Sequence, residues 1–189
     1  MENLKMQDDI VLYKEFLRNN SDAFDVLIDR YSKKIINFIY GYVRDYEVAE
    51  DMAQDVFVYI LINKNVYNFK YSFKSYLYMI AKCRALNYIK REKKKISYEE
   101  NIKYIDKMEA LYSTEEELLN LELKEKIIKI LKKLKPNQQR AFYLADIEKL
   151  SYKEISIIIG KSVTETKMII YRTRKNIKNL LKKEGIGDE

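Results

Sequence analysis

"SYKEISIIIGKSVTETK", residues 151–167, holds two helix starts of the S-x-x-E kind: Ser151 with Glu154, and Ser162 with Glu165. In such a start the serine hydroxyl accepts a bond from an unpaired N–H of the first turn, and the glutamate reaches back to the N–H of the cap. Gly160 lies between them, and the chain has only four glycines in 189 residues. Glycine takes a positive φ at little steric cost and can stop a helix sharply. The segment therefore predicts two helices separated by about three residues, the spacing of a helix-turn-helix. Ile155 and Ile159 are one helical turn apart and are expected to face inward. Ser156 is small and would let another helix cross closely.

The second helix of the pair has two faces. Val163, Thr166, Ile170, Ile177 and Leu181 are expected to face the core. Thr164, Lys167, Met168, Tyr171, Arg172 and Lys175 are expected to face outward, which suits a major groove. Lys and Arg can bond phosphates or guanine edges, and Thr, Met and the Tyr ring can pack against thymine methyls. An ordinary helical hairpin with a solvated basic face has the same spacing. Charge favours the nucleic-acid reading: residues 161–183 carry eight Lys/Arg and one acid, Glu165, a net of +7. Neutralising phosphates supplies much of the affinity for DNA.

Outward from this stretch the chain has one proline, and apolar residues recur at three- and four-residue intervals, which predicts an all-α fold. Pro136 suits the first turn of the helix before the opening stretch, with Ala141, Leu144 and Ala145 on its inner side. A helix over 118–134 places Leu119, Leu123, Ile127, Ile130 and Leu134 on one stripe. In the first half, helices are expected over 8–19, from Ser21 as a cap, over 45–63 and over 72–92. The second of these carries Phe24, Leu27, Ile28, Tyr31, Ile35 and Phe38 as its buried stripe. Two small helical bundles result. Residues 96–117 between them are polar, with seven acids against two lysines, and read as an acidic linker.

Composition excludes several classes. Histidine is absent and Cys83 is the only cysteine, so an internal disulfide, and metal sites or catalysis that use His or several Cys, are ruled out. No apolar run approaches the roughly 18 residues that would span a bilayer. The beginning "MENLKMQDDIV" lacks the zones of a signal peptide, and a reduced, cytosolic protein is expected. The formal net charge of +7 suits an anionic partner.

Two upstream segments add to this. "YNFKYSFKSYLYMIAKCRALNYIKREKKK", residues 67–95, interleaves aromatic and basic residues. Rings stack on bases and cations hold the backbone of single-stranded nucleic acid. Phe73, Leu77, Ile80 and Ala81 could equally be a core stripe. "VAEDMAQDVFVYI", residues 48–60, is acidic. It fits a basic protein partner or simply a solvated helix face.

Together these segments resemble the extracytoplasmic-function (ECF) sigma factors of the sigma-70 family, from about Asp9 to Lys183. "NNSDAFDVLIDRY" is similar to the family's opening helix. The resemblance implies that Asp51, Gln54, Asp55 and Phe57 of "YEVAEDMAQDVFVYI" contribute to docking on the β′ clamp helices of RNA polymerase. It further implies that "SFKSYLYMIAKCRALNYIKREKK" and the loop before it read and melt the promoter −10 element. The residues concerned are Phe69, Phe73, Lys74, Tyr76, Lys82, Cys83, Asn87, Lys90 and Arg91. In the −35 reading domain, Thr164, Lys167, Met168, Tyr171, Arg172 and Lys175 would carry the DNA contacts. The organisation expected is residues 1–95 as sigma region 2, 96–117 as linker, 118–183 as sigma region 4 and 184–189 as a tail. Implied partners are the RNA polymerase core (β′ clamp helices and β flap), promoter DNA and an anti-sigma factor, with no cofactor, no metal and no enzymatic activity. A stand-alone helix-turn-helix regulator is the alternative. It would need neither the acidic nor the aromatic-basic helix.

Overall fold

The computed structural model describes residues 2–92, 129–131 and 133–183. The expected linker over 96–117, the tail over 184–189 and most of the helix expected over 118–134 lie outside the described residues. The chain divides into two compact units, Met1–Glu99 and Glu100–Glu189.

The first unit contains α1 (Glu2–Lys5), α2 (Asp9–Leu17), α3 (Ser21–Val43), α4 (Tyr46–Ile62) and α5 (Phe73–Glu92). The long α3 is the hub, packed against α2, α4 and α5. Its buried stripe includes Phe24, Leu27, Tyr31, Ile35 and Phe38, at helical spacing as expected, while Ile28 is only partly covered. Ser21 is not the cap. Asn19 turns the chain with a left-handed φ of 69°, so Asn20 takes the extended cap position and Ser21 is already helical. Arg30 and Tyr31 of α3 both donate to the Asp9 carboxylate, and Arg30 also donates to the carbonyls of Lys5 and Gln7. These bonds tie the first two helices to the hub. Asp45 caps α4 by accepting from the Val48 amide (3.2 Å). Ser72 does the same for α5, accepting from the Ser75 amide (3.2 Å).

In the second unit α6 (Pro136–Phe142) runs into a π-helical turn, Tyr143–Ile147, whose i→i+5 bond joins the Glu148 amide to the Tyr143 carbonyl (2.9 Å). Then come α7 (Tyr152–Ile159) and α8 (Val163–Lys183). α8 packs on both α6 and α7. Pro136 occupies the first turn of α6, and Ala141, Leu144 and Ala145 are buried. Leu131 and Leu134 form a small cluster against Phe142 and Ile177. Two inward expectations need correcting. Ile158, not Ile159, joins Ile155 in the core, so the buried face of α7 follows an i, i+3 row. Val163 is exposed, because it is the first residue of α8 and lies ahead of the buried stripe. Thr173 takes a place in that stripe between Ile170 and Ile177. Its hydroxyl donates to the Ile169 carbonyl (2.7 Å), which satisfies a buried polar group locally.

Candidate nucleic-acid interface

The turn between α7 and α8 is built as its sequence requires. Ser151 and Glu154 make a reciprocal capping box at the start of α7. Gly160 has φ 72° and ψ 44°, in the left-handed region. The amides of Gly160 and Lys161 both donate to the Ser156 carbonyl (2.9 Å each), closing the end of α7. Two residues later the Ser162 hydroxyl accepts from the Glu165 amide (3.1 Å), and the Glu165 carboxylate accepts from the Ser162 amide (3.0 Å). These bonds, with nearby Lys161 adding to them, hold the Glu165 carboxyl below the usual carboxylate range.

Beyond this turn α8 presents Thr164, Lys167, Met168, Tyr171, Arg172 and Lys175 to solvent, while Thr166, Ile170 and Thr173 are buried. Tyr171 is 63% exposed and Met168 45%, large apolar surfaces left open to solvent. One cation of the segment is engaged elsewhere. Arg174 donates from Nε to both carboxylate oxygens of Asp146 (3.1 and 3.2 Å), and its Nη2 lies 2.8 Å from Oδ1. Its Nη1 donates to the Tyr152 hydroxyl (3.3 Å). The Asp146 bonds hold the Arg174 guanidinium above its ordinary pKa. No periodicity marks this contact, because Asp146 is aimed at α8 by the π turn.

In the first unit the aromatic-basic segment is split between core and surface. Tyr67, Phe73 and Tyr78 are buried; Tyr67 and Phe73 form a ring cluster with Tyr13, while Tyr78 packs edge-on against Phe38 of α3 (4.8 Å between centroids). Phe73, expected to face the −10 element, is therefore a packing residue with no exposed surface. The Tyr76 ring stacks on Tyr67 at 4.9 Å, and its hydroxyl is buried without a hydrogen-bond partner among the described residues. Burial, with Tyr59 as a smaller cause, pushes that hydroxyl's pKa up. Phe69 is different. It is 36% exposed, has a left-handed φ of 58°, and leans on Tyr67 with ring centroids 4.6 Å apart. A positive φ is costly for a bulky side chain and is most often met at functional or strained sites. Of the other expected −10 residues, Cys83, Asn87, Lys90 and Arg91 are exposed along α5, and Lys74 and Lys82 are half-buried.

On α4, Asp51, Gln54 and Asp55 are exposed and adjoin the exposed Glu50. Phe57 is buried against Phe24, so its contribution to a partner would pass through the packing of α4. Arg84 of α5 reaches back to Asp55 (3.7 Å) and lies over the Tyr59 ring (5.3 Å to the centroid). Arg84 is thus a contact between α4 and α5 that helical periodicity alone did not reveal.

Comparison with known proteins bears on these faces. A family model described as Sigma-70 region 2 matches residues 27–95, and one described as Sigma-70, region 4 matches residues 124–177. The chain is similar to the RNA polymerase sigma factor YlaC of Bacillus subtilis (strain 168), 28% identical over 163 residues, which cover 86% of this chain and 94% of that protein. It is similar to the ECF RNA polymerase sigma factor SigM of the same organism, 25% identical over 167 residues, 88% of this chain and 99% of SigM. The ECF RNA polymerase sigma-E factor of Escherichia coli (strain K12) is 25% identical over 178 residues, 90% of this chain and 93% of that protein. In structure the chain is similar to the sigma factor RpoE in complex with the anti-sigma factor NepR from Bartonella quintana. That match has a TM-score of 0.63 and 19% identity, over 84% of this chain and 96% of that one. CnrH in complex with the cytosolic domain of CnrY gives 0.59 and 19%, over 92% and 97%. At this identity the two structures speak for the all-α fold alone. No helix of the described residues is long and apolar enough to cross a membrane.

Proposed function

The chain belongs to the sigma-70 family as an ECF sigma factor, a factor that directs transcription initiation, and from that premise we propose how its faces divide the work. The observation that carries the proposal is the separation of two exposed surfaces onto two compact units. One unit has the acidic face of α4 beside the polar and basic face of α5; the other has the basic outer face of α8.

Thr164, Lys167, Met168, Tyr171, Arg172 and Lys175 read the −35 element as duplex DNA. Cations at this spacing can meet phosphates or guanine edges, and Met168 and Tyr171 offer apolar surface to thymine methyls. Phe69, Cys83, Asn87, Lys90 and Arg91, with Lys74 and Lys82 at the margin, hold the opened −10 strand. One exposed ring with several cations suits bases that have left the stack. Phe73 and Tyr76 support that surface from inside. Asp51, Gln54 and Asp55 dock on the polymerase core, with Phe57 fixing the pitch of α4 beneath them. An acidic docking face keeps its own distance from DNA and selects a basic partner surface. The protein works in the cytoplasm, carries out no chemistry of its own and needs no cofactor. An anti-sigma factor is a further partner, as in the complex of RpoE with NepR.

The test is run-off transcription with purified core polymerase, on templates that include the region upstream of the protein's own gene. The expected result is a discrete transcript that depends on the protein. With active core present, no specific transcript from any such template would overturn the proposal. Binding to duplex DNA without co-migration with core would instead favour a stand-alone helix-turn-helix regulator.

A further inference from the structure

We infer that Arg174 is a positioning residue for promoter discrimination, held by Asp146 and Tyr152 so that its guanidinium fixes the setting of α8. This deepens the proposed reading of α8 and rests on it.

Three elements converge on one side chain. Asp146 comes from the π turn, Tyr152 is the first residue of α7, and Arg174 lies in the middle of α8. A guanidinium is a planar fork whose donors have fixed directions, so bonding to two groups at once restricts both translation and rotation of the helix that carries it. Asp146 is only 25% exposed, which keeps its carboxylate facing α8. Tyr152 also lies under Lys167, whose ammonium is 6.0 Å from the ring centroid. Lys167 and Arg174 are seven residues apart, close to two turns, and so lie on nearly the same side of α8. One tyrosine thus braces an outward lysine and the arginine that anchors the helix. By charge alone Arg174 would be counted among the phosphate-binding cations. Its bonds to Asp146 give it another task.

Base reading depends on small displacements, whereas attraction to phosphate does not. Loss of the clamp should therefore reduce discrimination while leaving general affinity in place. The test uses the full-length protein assembled with core polymerase. A duplex that the unaltered protein enriches from a random pool is compared with a scrambled duplex of equal composition, at several salt concentrations. Asp146→Asn and Tyr152→Phe remove no cation. In each, the ratio of specific to non-specific affinity should fall about two- to five-fold, the range expected of an exposed ion pair. Affinity for the scrambled duplex should hold or rise, and the salt slope should not fall. Arg174→Lys keeps the charge but loses the fork, and should also lower the ratio.

An unchanged ratio in both Asp146→Asn and Tyr152→Phe overturns the inference. So does equal weakening for both duplexes, which is the signature of partial unfolding. A third overturning result is a loss confined to Arg174→Ala with the salt slope reduced by about 1, which would make Arg174 a phosphate contact. If the unaltered protein enriches no duplex at all, the reading of α8 fails instead.

Discussion

Gly160→Ala should loosen the second unit and leave the first untouched. Gly160 has φ 72°, and placing an L side chain in that region costs about 1–2 kcal/mol through the clash of Cβ with the carbonyl that follows. The turn could escape by unwinding, but that would break two bonds, since the Gly160 and Lys161 amides both close on the Ser156 carbonyl. At about 0.5–1.5 kcal/mol net for each bond, unwinding forfeits at least as much as it relieves, so the turn should stay and carry the strain. A loss of about 1–2 kcal/mol corresponds to a 5- to 30-fold change in the folded-to-unfolded ratio. Amide hydrogen exchange on the full chain reads this directly. Protection in α7 and α8 should drop by that factor, while α3 and α4 serve as the internal control. Gly160→Asn should recover part of the protection, because asparagine tolerates the left-handed region better than alanine. Unchanged protection in the alanine variant would refute the reasoning. So would a loss spread equally over α3, or an asparagine variant no better than alanine.

Other expectations concern the caps, the core and the DNA face. Since Glu165 is held below its unfolded pKa, its contribution is present above the usual carboxylate range and is lost as pH falls through the lowered folded value; acid titration of α8 helicity should show this, and Glu165→Gln should flatten it. Phe73→Ala should destabilise the first unit by about 3–5 kcal/mol in thermal or denaturant unfolding, because the ring is wholly buried. Phe69→Ala should change stability far less and instead weaken binding to a single-stranded −10 oligonucleotide by about 1–3 kcal/mol, measured with the core complex. Arg172→Ala should weaken duplex promoter binding by about 1–3 kcal/mol if it meets a base edge, and unchanged affinity at moderate salt would remove it from the site.

The fold was legible where side chains act on their own neighbours. Both S-x-x-E starts formed as written, Gly160 took the positive φ assigned to it, and the stripe on α3 is buried at nearly every expected position. All of these are contacts within a few residues, and sequence spacing encodes them. The aromatic-basic segment was ambiguous for the opposite reason. Tyrosine and phenylalanine serve a core as readily as a base stack, and only the packing of α2, α3 and α5 decides that Tyr67, Phe73 and Tyr78 go inside while Phe69 stays at the edge. Arg174 and Arg84 show a further limit. Each is a cation on a basic stretch, yet each is drawn to a carboxylate from another helix, Asp146 or Asp55, that no periodicity connects to it.

The π turn at Tyr143–Ile147 bears on how the gene can change. A π turn is an α-helix with one residue too many, and here the surplus swings Asp146 toward α8. Removing any one residue of the turn would let α6 run on in regular geometry and rotate all that follows by about 100°. Asp146 would leave Arg174, and the Tyr143 hydroxyl would lose the bond it donates to the buried Glu148. Surface loops accept gained or lost residues readily. In this turn a single-codon deletion should be far more damaging than most substitutions, because the count of residues, more than their identity, sets the heading of the helix proposed to meet DNA.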